Sequence, residues 1–457
     1  TGACEHAVTF FAYGDKRPVP TLFNTETVLA VVLCHQTEHL VRICLFQRTA
    51  QGLHLPAHVL VIGPLPLGDG LIAAENGEAV DAQIGCAAND YMGDHWGILD
   101  YLATPTHNPL PIHYEYYRND ANKIDANIYA KANWRIIHRA QEQLALYADV
   151  QYRYVRYHRT GLNDENMENL PLTVNYHFFN PKAGLSYRNR GHLLSASFAI
   201  ANREPSRNNY KENTRFDNQT QTWTGLPKAE RLYDYELGYQ YQHSRFHIGT
   251  NFYFMDYNNQ LVLTGEYNDV GAMKTINVKD SYRMGAEITA GVKITEWLRW
   301  DMNVVASRNK ILNYHQYIDL YDDQDNWNWV GLDSVVGTTT IAFSPSITAM
   351  SLFTFDIVGF TATVQTNVVG KQYLDNTEDE NAMLRAYSTT NLNLQYQLPI
   401  NSQWPDIRLM CQINNIFNAK YANNGGAEAS RFMDGSRCCW YYAQAGINVH
   451  AGFSIMF

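Results

Sequence analysis

From about residue 86 to its end, the chain is cut into alternating segments whose connections run short, long, short, long. The stretch LYDYELGYQYQ (232–242) shows the pattern. Tyr233, Tyr235, Leu237, Tyr239 and Tyr241 fall on one face of an extended chain, and Asp234, Glu236, Gly238, Gln240 and Gln242 on the other. Many segments run about 11 to 16 residues, whereas soluble strands are usually about 5 to 6 and a tilted membrane strand needs about 9 to 11. Short connections include HRAQ (138–141), RNRG (188–191), QHSR (242–245), KITE (293–296) and DIVG (356–359). Long polar ones include 98–121, 158–172, 203–228, 258–279, 307–337, 374–384 and 418–442. A soluble sandwich has no reason to gather every long loop at one end. An outer-membrane barrel does, because its periplasmic turns are short and its extracellular loops long.

About fourteen strands are readable, among them 245–257, 280–293, 296–306, 338–355 and 445–457. The last carries Ile447, Val449, Ala451, Phe453, Ile455 and Phe457 on one face. The expected fold is all-β: an antiparallel transmembrane β-barrel. Composition agrees where it speaks. The 31 tyrosines suit strands and membrane interfaces. No apolar run reaches the roughly 18 to 20 residues of a spanning helix, which a barrel does not need. A net charge of −10 argues against a nucleic-acid partner.

Residues 1–85 depart from this pattern. They hold a single tyrosine, Tyr13, and their apolar residues come in blocks such as VLAVVLC (28–34). A small separate domain, a divergent part of the barrel and out-of-frame translation compete as explanations. The abrupt change near Cys86 favours the third. Translating the other two frames of the upstream DNA tests it: tyrosine-rich alternating strands are expected in one of them.

The C-terminal residues carry a family resemblance. INNIFNAKY (413–421) and YYAQAGINVHAGFSIMF (441–457) resemble the closing signature of TonB-dependent outer-membrane receptors through Asn414, Asn415, Phe417, Asn418, Tyr421, Tyr442, Gln444, Ala445, Gly446, Asn448, Gly452 and Phe457. Ala443 and Ile447 stand where Pro and Arg are usual. FNPKAGLSY (179–187), KAERLYDYELG (228–238), FMDYNNQLV (254–262), SYRMGAEI (281–288) and VGKQYLDNT (369–377) are similar to further elements of the family. The resemblance covers residues 86–457. It implies a 22-stranded barrel in the outer membrane of a Gram-negative bacterium, of which these would be the last fourteen strands. It also implies an N-terminal plug and a TonB-contacting segment, neither of which is readable here, so the chain is expected to be the C-terminal part of a receptor. The implied partners are outer-membrane lipid, the TonB energy-transducing complex acting through the plug, and the barrel assembly machinery reading the strand that ends at Phe457.

Such receptors take up a scarce ligand, such as a siderophore, haem, cobalamin or a glycan, and perform no covalent chemistry. Counting strands back from a periplasmic C-terminus places 203–228 outside. There Arg203, Glu204, Arg207, Asn208, Asn209, Tyr210 and Arg215 suit an anionic, flat ligand; a merely solvated loop is the bland alternative. A second outer loop, 319–333, offers Asp322, Asp323, Asp325, Trp327 and Trp329 for sugar stacking or calcium, although the spacing completes no calcium loop. Cys34, His35, His39 and Cys44 lack the paired spacing of a zinc site. Cys438 and Cys439 are adjacent and are expected to remain free thiols or to pair elsewhere. No cofactor and no catalytic residue is expected. A plug-less passive porin is the competing function. An outer-membrane enzyme would need a Ser/His or Asp/His constellation, and none stands out.

Overall fold

The structure, a computed structural model, describes residues 30–36, 40–46, 70–76, 79–99, 113–161, 171–217, 219–267, 273–399 and 406–456. Phe457, His39 and the side chains of Cys34, His35 and Cys44 lie outside the described residues, as does most of 1–85. The chain divides into two compact units, residues 1–138 with 145–183 and residues 139–144 with 184–457.

The first unit is built from long antiparallel strands. Val80–Leu99 pairs with Tyr114–Arg139 from Val80 opposite Trp134 to Leu99 opposite Tyr114. Glu142–Gly161 and Leu172–Asn189 follow in order. One face is a polar ladder. Arg153 donates to both carboxylate oxygens of Asp125 at 2.9 and 2.6 Å, and Asn180 donates to Gln151 at 3.0 Å. The opposite face leaves Ile128, Leu146, Val150 and Tyr152 exposed.

The second unit is an antiparallel meander: His192–Arg203, Glu230–Gln242, Phe246–Tyr267, Met273–Lys293 and Leu298–Tyr321, each hydrogen-bonded to the next. Its later strands are Trp329–Thr340, Ile347–Ile357, Phe360–Val369, Tyr387–Gln397, Asp406–Asn414 and Asn448–Met456. Alternation sorts the faces as expected. Tyr235 lies opposite Phe254, and Leu237 opposite Phe252, on an exposed apolar face. Glu236 accepts a hydrogen bond from Asn251 on the other. SYRMGAEI keeps a glycine because the strands approach closely. A Cβ on Gly285 would lie 2.5 Å from the Ala306 carbonyl oxygen.

Two expectations are corrected. The stretch 338–355 is not one strand but two, because 341–346 turns inward: Phe343 sits at φ 52°, and Pro345 cannot donate to a ladder. The stretches 258–279 and 307–337, read as loops, are mostly strand. The ladder of one hairpin runs on to Tyr267 opposite Met273, and that of the next to Tyr321 opposite Trp329. Polar residues obscured these extensions, because a strand that rises beyond lipid has no need of an apolar face.

Burial is inverted relative to a soluble domain. On the walls, Leu237 is 56% exposed, Phe252 53%, Val449 60% and Phe453 69%. Buried apolar clusters sit instead among the long connections: Val262, Val278, Ile311, Tyr314 and Ile341 form one, and Leu374, Ala382, Leu384 and Ala427 another.

Candidate functional site

Within the second unit, the long connections form an ordered assembly at one end of the sheet. Three of its strands, Phe246–Tyr267, Met273–Lys293 and Leu298–Tyr321, have 22, 21 and 24 residues, about twice the length needed to cross hydrocarbon. Their excess length carries the first buried cluster, which Ile276 and Val335 flank.

The centre of this assembly is the connection 370–386. Its residues Leu374, Asp375 and Asn376 are almost fully buried. Buried polar groups need partners, and each has found them. Asn376 accepts from the Ala342 amide at 2.8 Å and donates to the Leu263 carbonyl at 2.7 Å. Glu378 accepts from Lys310 at 2.8 and 3.0 Å and from the Thr340 amide at 2.8 Å. One connection therefore ties together both rising hairpins and the inward turn.

The last long connection, 415–447, is held by two arginines. The Arg437 side chain is fully buried; it lies 2.8 Å from Asp375 and 3.4 Å from Asp379, and donates to the Glu428 carbonyl at 2.6 Å. Arg431 bridges Asp333 at 2.6 Å and Asp379 at 2.9 Å. A three-residue strand, Ser430–Phe432, adds in parallel to Asp319–Tyr321 at the end of the long strand. The motif INNIFNAKY builds the base of this connection. Asn415 and Asn418 adopt φ 50° and 53°, a region asparagine tolerates. The Asn415 amide donates to the carbonyls of Ala419 and Ala445 at 3.0 and 3.2 Å, and Asn418 accepts from the Ile447 amide at 3.1 Å. Tyr421 stacks on Tyr387 at 4.4 Å.

Burial pushes the Asp379 carboxyl up, but the Asn381 amide and the Arg431 guanidinium outweigh it and hold the group below the usual carboxylate range. A depressed folded value gives stability that is present above the unfolded value, about 3.9, and is lost as pH falls through the folded one. Protease cleavage within 370–386 should therefore be the same at about pH 7 and pH 5 and rise only below about pH 4. A rise already at pH 5 contradicts the assignment.

The residues singled out in 203–228 have divided roles. Ser206 caps the short helix Arg207–Asn213 in a reciprocal capping box with Asn209. Asn209 also donates to Thr275, and Tyr210 is 1% exposed. Arg203 pairs with buried Glu230 at 2.7 Å, and Glu230 also accepts from the Leu261 amide. Arg203, Asn209 and Tyr210 thus hold the loop to its neighbours. Glu204 and Arg207 are half-buried, and Arg215 begins the short strand Arg215–Asp217. At the other tip, Trp327 packs edge-on against Tyr321 at 5.3 Å and Phe432 at 4.9 Å. Trp329 is 59% exposed, with its indole N–H donating to Asp319 at 3.1 Å. Asp322 and Asp323 accept from the amides of Asn328 and Asn326 and so shape the turn. Cys438 and Cys439 are free thiols, both pushed up by burial.

The sequence reading did not single out Asp375, Asp379, Arg431 and Arg437. The nearest signal was VGKQYLDNT, which contains Asp375 and Asn376.

A family model described as TonB-dependent receptor-like β-barrel matches residues 65–416. No curated protein matches the sequence. Among solved structures, the ferric yersiniabactin uptake receptor FyuA of Yersinia pestis is 15% identical, with a TM-score of 0.56, covering 84% of this chain and 52% of that one. The copper transporter OprC is 14% identical, with a TM-score of 0.59, covering 84% and 55%. The siderophore receptor PiuA of Acinetobacter baumannii is 13% identical, with a TM-score of 0.56, covering 84% and 54%. The chain spans about half the length of these structures. At such identities the likeness is one of fold, and the family match, which starts at residue 65 and runs through most of the chain, carries the assignment. With its antiparallel strands and exposed apolar walls, and with the family model matching residues 65–416, the chain belongs to the TonB-dependent receptor β-barrel family.

Proposed function

We propose that this chain forms wall and outer loops of a Gram-negative outer-membrane receptor that imports a scarce ligand (siderophore, haem, cobalamin or glycan), with energy supplied by the TonB complex through a plug. The observation that supports this most is the inversion of burial: large apolar side chains face outward along the strands, and ordered, buried contacts concentrate in the long loops. A wall exposed to lipid fits the first feature, and loops built to hold a fixed shape fit the second. Ligand contact is assigned to these loops. Arg203, Asn209 and Tyr210 shape the 203–228 loop, whose Glu204, Arg207 and Arg215 are assigned to the ligand, while Trp327 buttresses the tip that presents the exposed Trp329. Assembly through the strand that ends at Phe457 belongs to the same proposal.

The test is growth of the source bacterium on limiting ferric siderophores, haem, cobalamin or surface glycans, with the gene intact, deleted, or intact in a strain lacking TonB. Growth on one ligand should be lost in both mutants. Loss in the gene deletion alone would favour a passive porin, and unchanged growth on every ligand sinks the uptake reading.

A further inference from the structure

Within the second unit, backbone hydrogen bonds tie the short turns into a row. The Arg190 amide donates to the Gln141 carbonyl, the Gln242 amide to the Gly191 carbonyl and the Lys293 amide to the Arg245 carbonyl, each at 2.8 Å. This row is rich in cations, and several are already paired. Arg139 bridges Glu142 at 2.9 Å, Arg299 bridges Asp301 at 2.6 Å, and Lys293 bridges Glu296, a carboxylate that also feels the Arg245 charge. Arg188, Arg190 and Arg245 are exposed and, among the described residues, form no ion pair. In a chain of net charge −10, three unpaired guanidiniums on two adjacent turns reverse the sign locally. Arg190 and Arg245 stand two strand spacings apart, about 10 Å, so two long side chains can converge on one group. A cavity of about 440 Å³ opens between these turns, with Arg188, Arg190, His192, Tyr241 and Ile248 among its lining.

The wall next to the turns indicates which anion these arginines meet. Rings collect at the strand ends. His192 packs on Tyr241 at 4.5 Å and its Nδ1 lies 2.9 Å from the Tyr239 hydroxyl, while Phe246 lies 5.7 Å from Tyr241 and 5.0 Å from His243. Leu194, opposite Tyr239, and Ile248, opposite Tyr241, are exposed and continue the same apolar face along the wall. A belt of rings marks the depth at which hydrocarbon gives way to lipid headgroups. Guanidiniums just beyond such a belt stand level with lipid phosphates, whose oxygens match their paired donors. We propose that the turns 188–191 and 242–245 form a headgroup site for an anionic phospholipid. Arg190 and Arg245 hold its phosphodiester, and an acyl chain runs along Leu194, Tyr239, Tyr241 and Ile248. Unpaired cations favour an anionic headgroup over a zwitterionic one, whose own ammonium they repel. The uptake reading makes this the periplasmic leaflet; the site rests on that reading for the leaflet alone.

The test titrates the full-length receptor in detergent with phosphatidylglycerol or phosphatidylcholine and counts bound lipid by native mass spectrometry. Wild type should prefer phosphatidylglycerol by about tenfold or more, as expected of charge-assisted contacts, and less so as salt rises. The double variant Arg190→Asn, Arg245→Gln should lose this preference with phosphatidylcholine binding unchanged. Asparagine suits the φ of 53° at residue 190. Arg299→Gln, on the same row but already paired, should keep the full preference. If the double variant fails to assemble, Arg245→Gln alone should lower the preference several-fold. No preference in wild type, or an equal preference in wild type, the double variant and Arg245→Gln, overturns the proposal. Displacement of the lipid by equimolar inorganic phosphate also overturns it and assigns the arginines to a free anion; displacement by polyglutamate overturns it in favour of an acidic protein partner. The growth test of uptake reads separately. A receptor that supports no growth yet selects phosphatidylglycerol through Arg190 and Arg245 sinks the uptake reading and keeps the site.

Discussion

Replacing Arg437 with alanine is expected to free the last two long loops from each other while leaving the wall assembled. The side chain is fully buried, and its removal strands Asp375, itself 2% exposed, without its cationic partner. Breaking a buried pair from one side costs about 3 to 5 kcal/mol, because the remaining charge keeps its desolvation penalty. The loss is local, since Arg437 touches loop residues and no spanning strand. Protease should then cut within 370–386 and 430–439 in isolated membranes, where wild type resists. Arg437→Lys should rescue poorly: a lysine has one ammonium head, whereas the arginine reaches Asp375, Asp379 and the Glu428 carbonyl at once. Equal protease resistance in wild type and Arg437→Ala would show that the apolar cluster and the Arg431 bridges suffice to hold the loops.

The second large effect distinguishes the two faces of a single strand. Leu237 stands near the middle of Glu230–Gln242 on the apolar face, opposite Phe252 and Ala196. Leu237→Arg should destabilise the barrel by about 2 to 4 kcal/mol, the cost of arginine near the bilayer midplane. Gln240→Arg, three residues on and facing the opposite way, should cost little, because the inner face is wet and polar. The measurement is the folded fraction in lipid vesicles across a urea series, with the receptor intact. Similar losses for both substitutions would mean that the faces are assigned wrongly.

Much of the wall was legible because lipid enforces a simple rule at every second residue. Tyr235 and Leu237 could be placed on their face from the sequence, and the pairing with Phe254 and Phe252 agrees. That rule stops where the strands leave the membrane. Residues 307–321 continue a strand with Asn309, Lys310, Asn313 and Gln316 in it, a composition that reads as loop. The inward turn at 341–346 was hidden because 338–340 and 347–355 both alternate, so they read as one strand with a proline inside. The loop core was less legible still. Asp375 and Arg437 are separated by 62 positions, and nothing local in either segment announces the other. The aromatic and charged residues singled out in the loops include several that hold the loops in shape, as Arg203, Tyr210 and Trp327 do. Aromatic and charged residues suit both binding and bracing, and only burial separates the two uses.

The short parallel strand Ser430–Phe432 has a consequence for life in a crowded membrane. The hairpin that ends at Tyr321 parts from its neighbour Met273–Lys293 above Leu312, where their pairing ends, and leaves a ledge of strand edge there. Such a ledge offers unused backbone donors and acceptors to any extended peptide. By pairing with Asp319, Leu320 and Tyr321, the last loop occupies the tip of that ledge with the protein's own chain. Neighbouring copies at high surface density are thereby denied a template for strand exchange, so the loop serves as a guard against sticking together as well as a piece of the outer architecture.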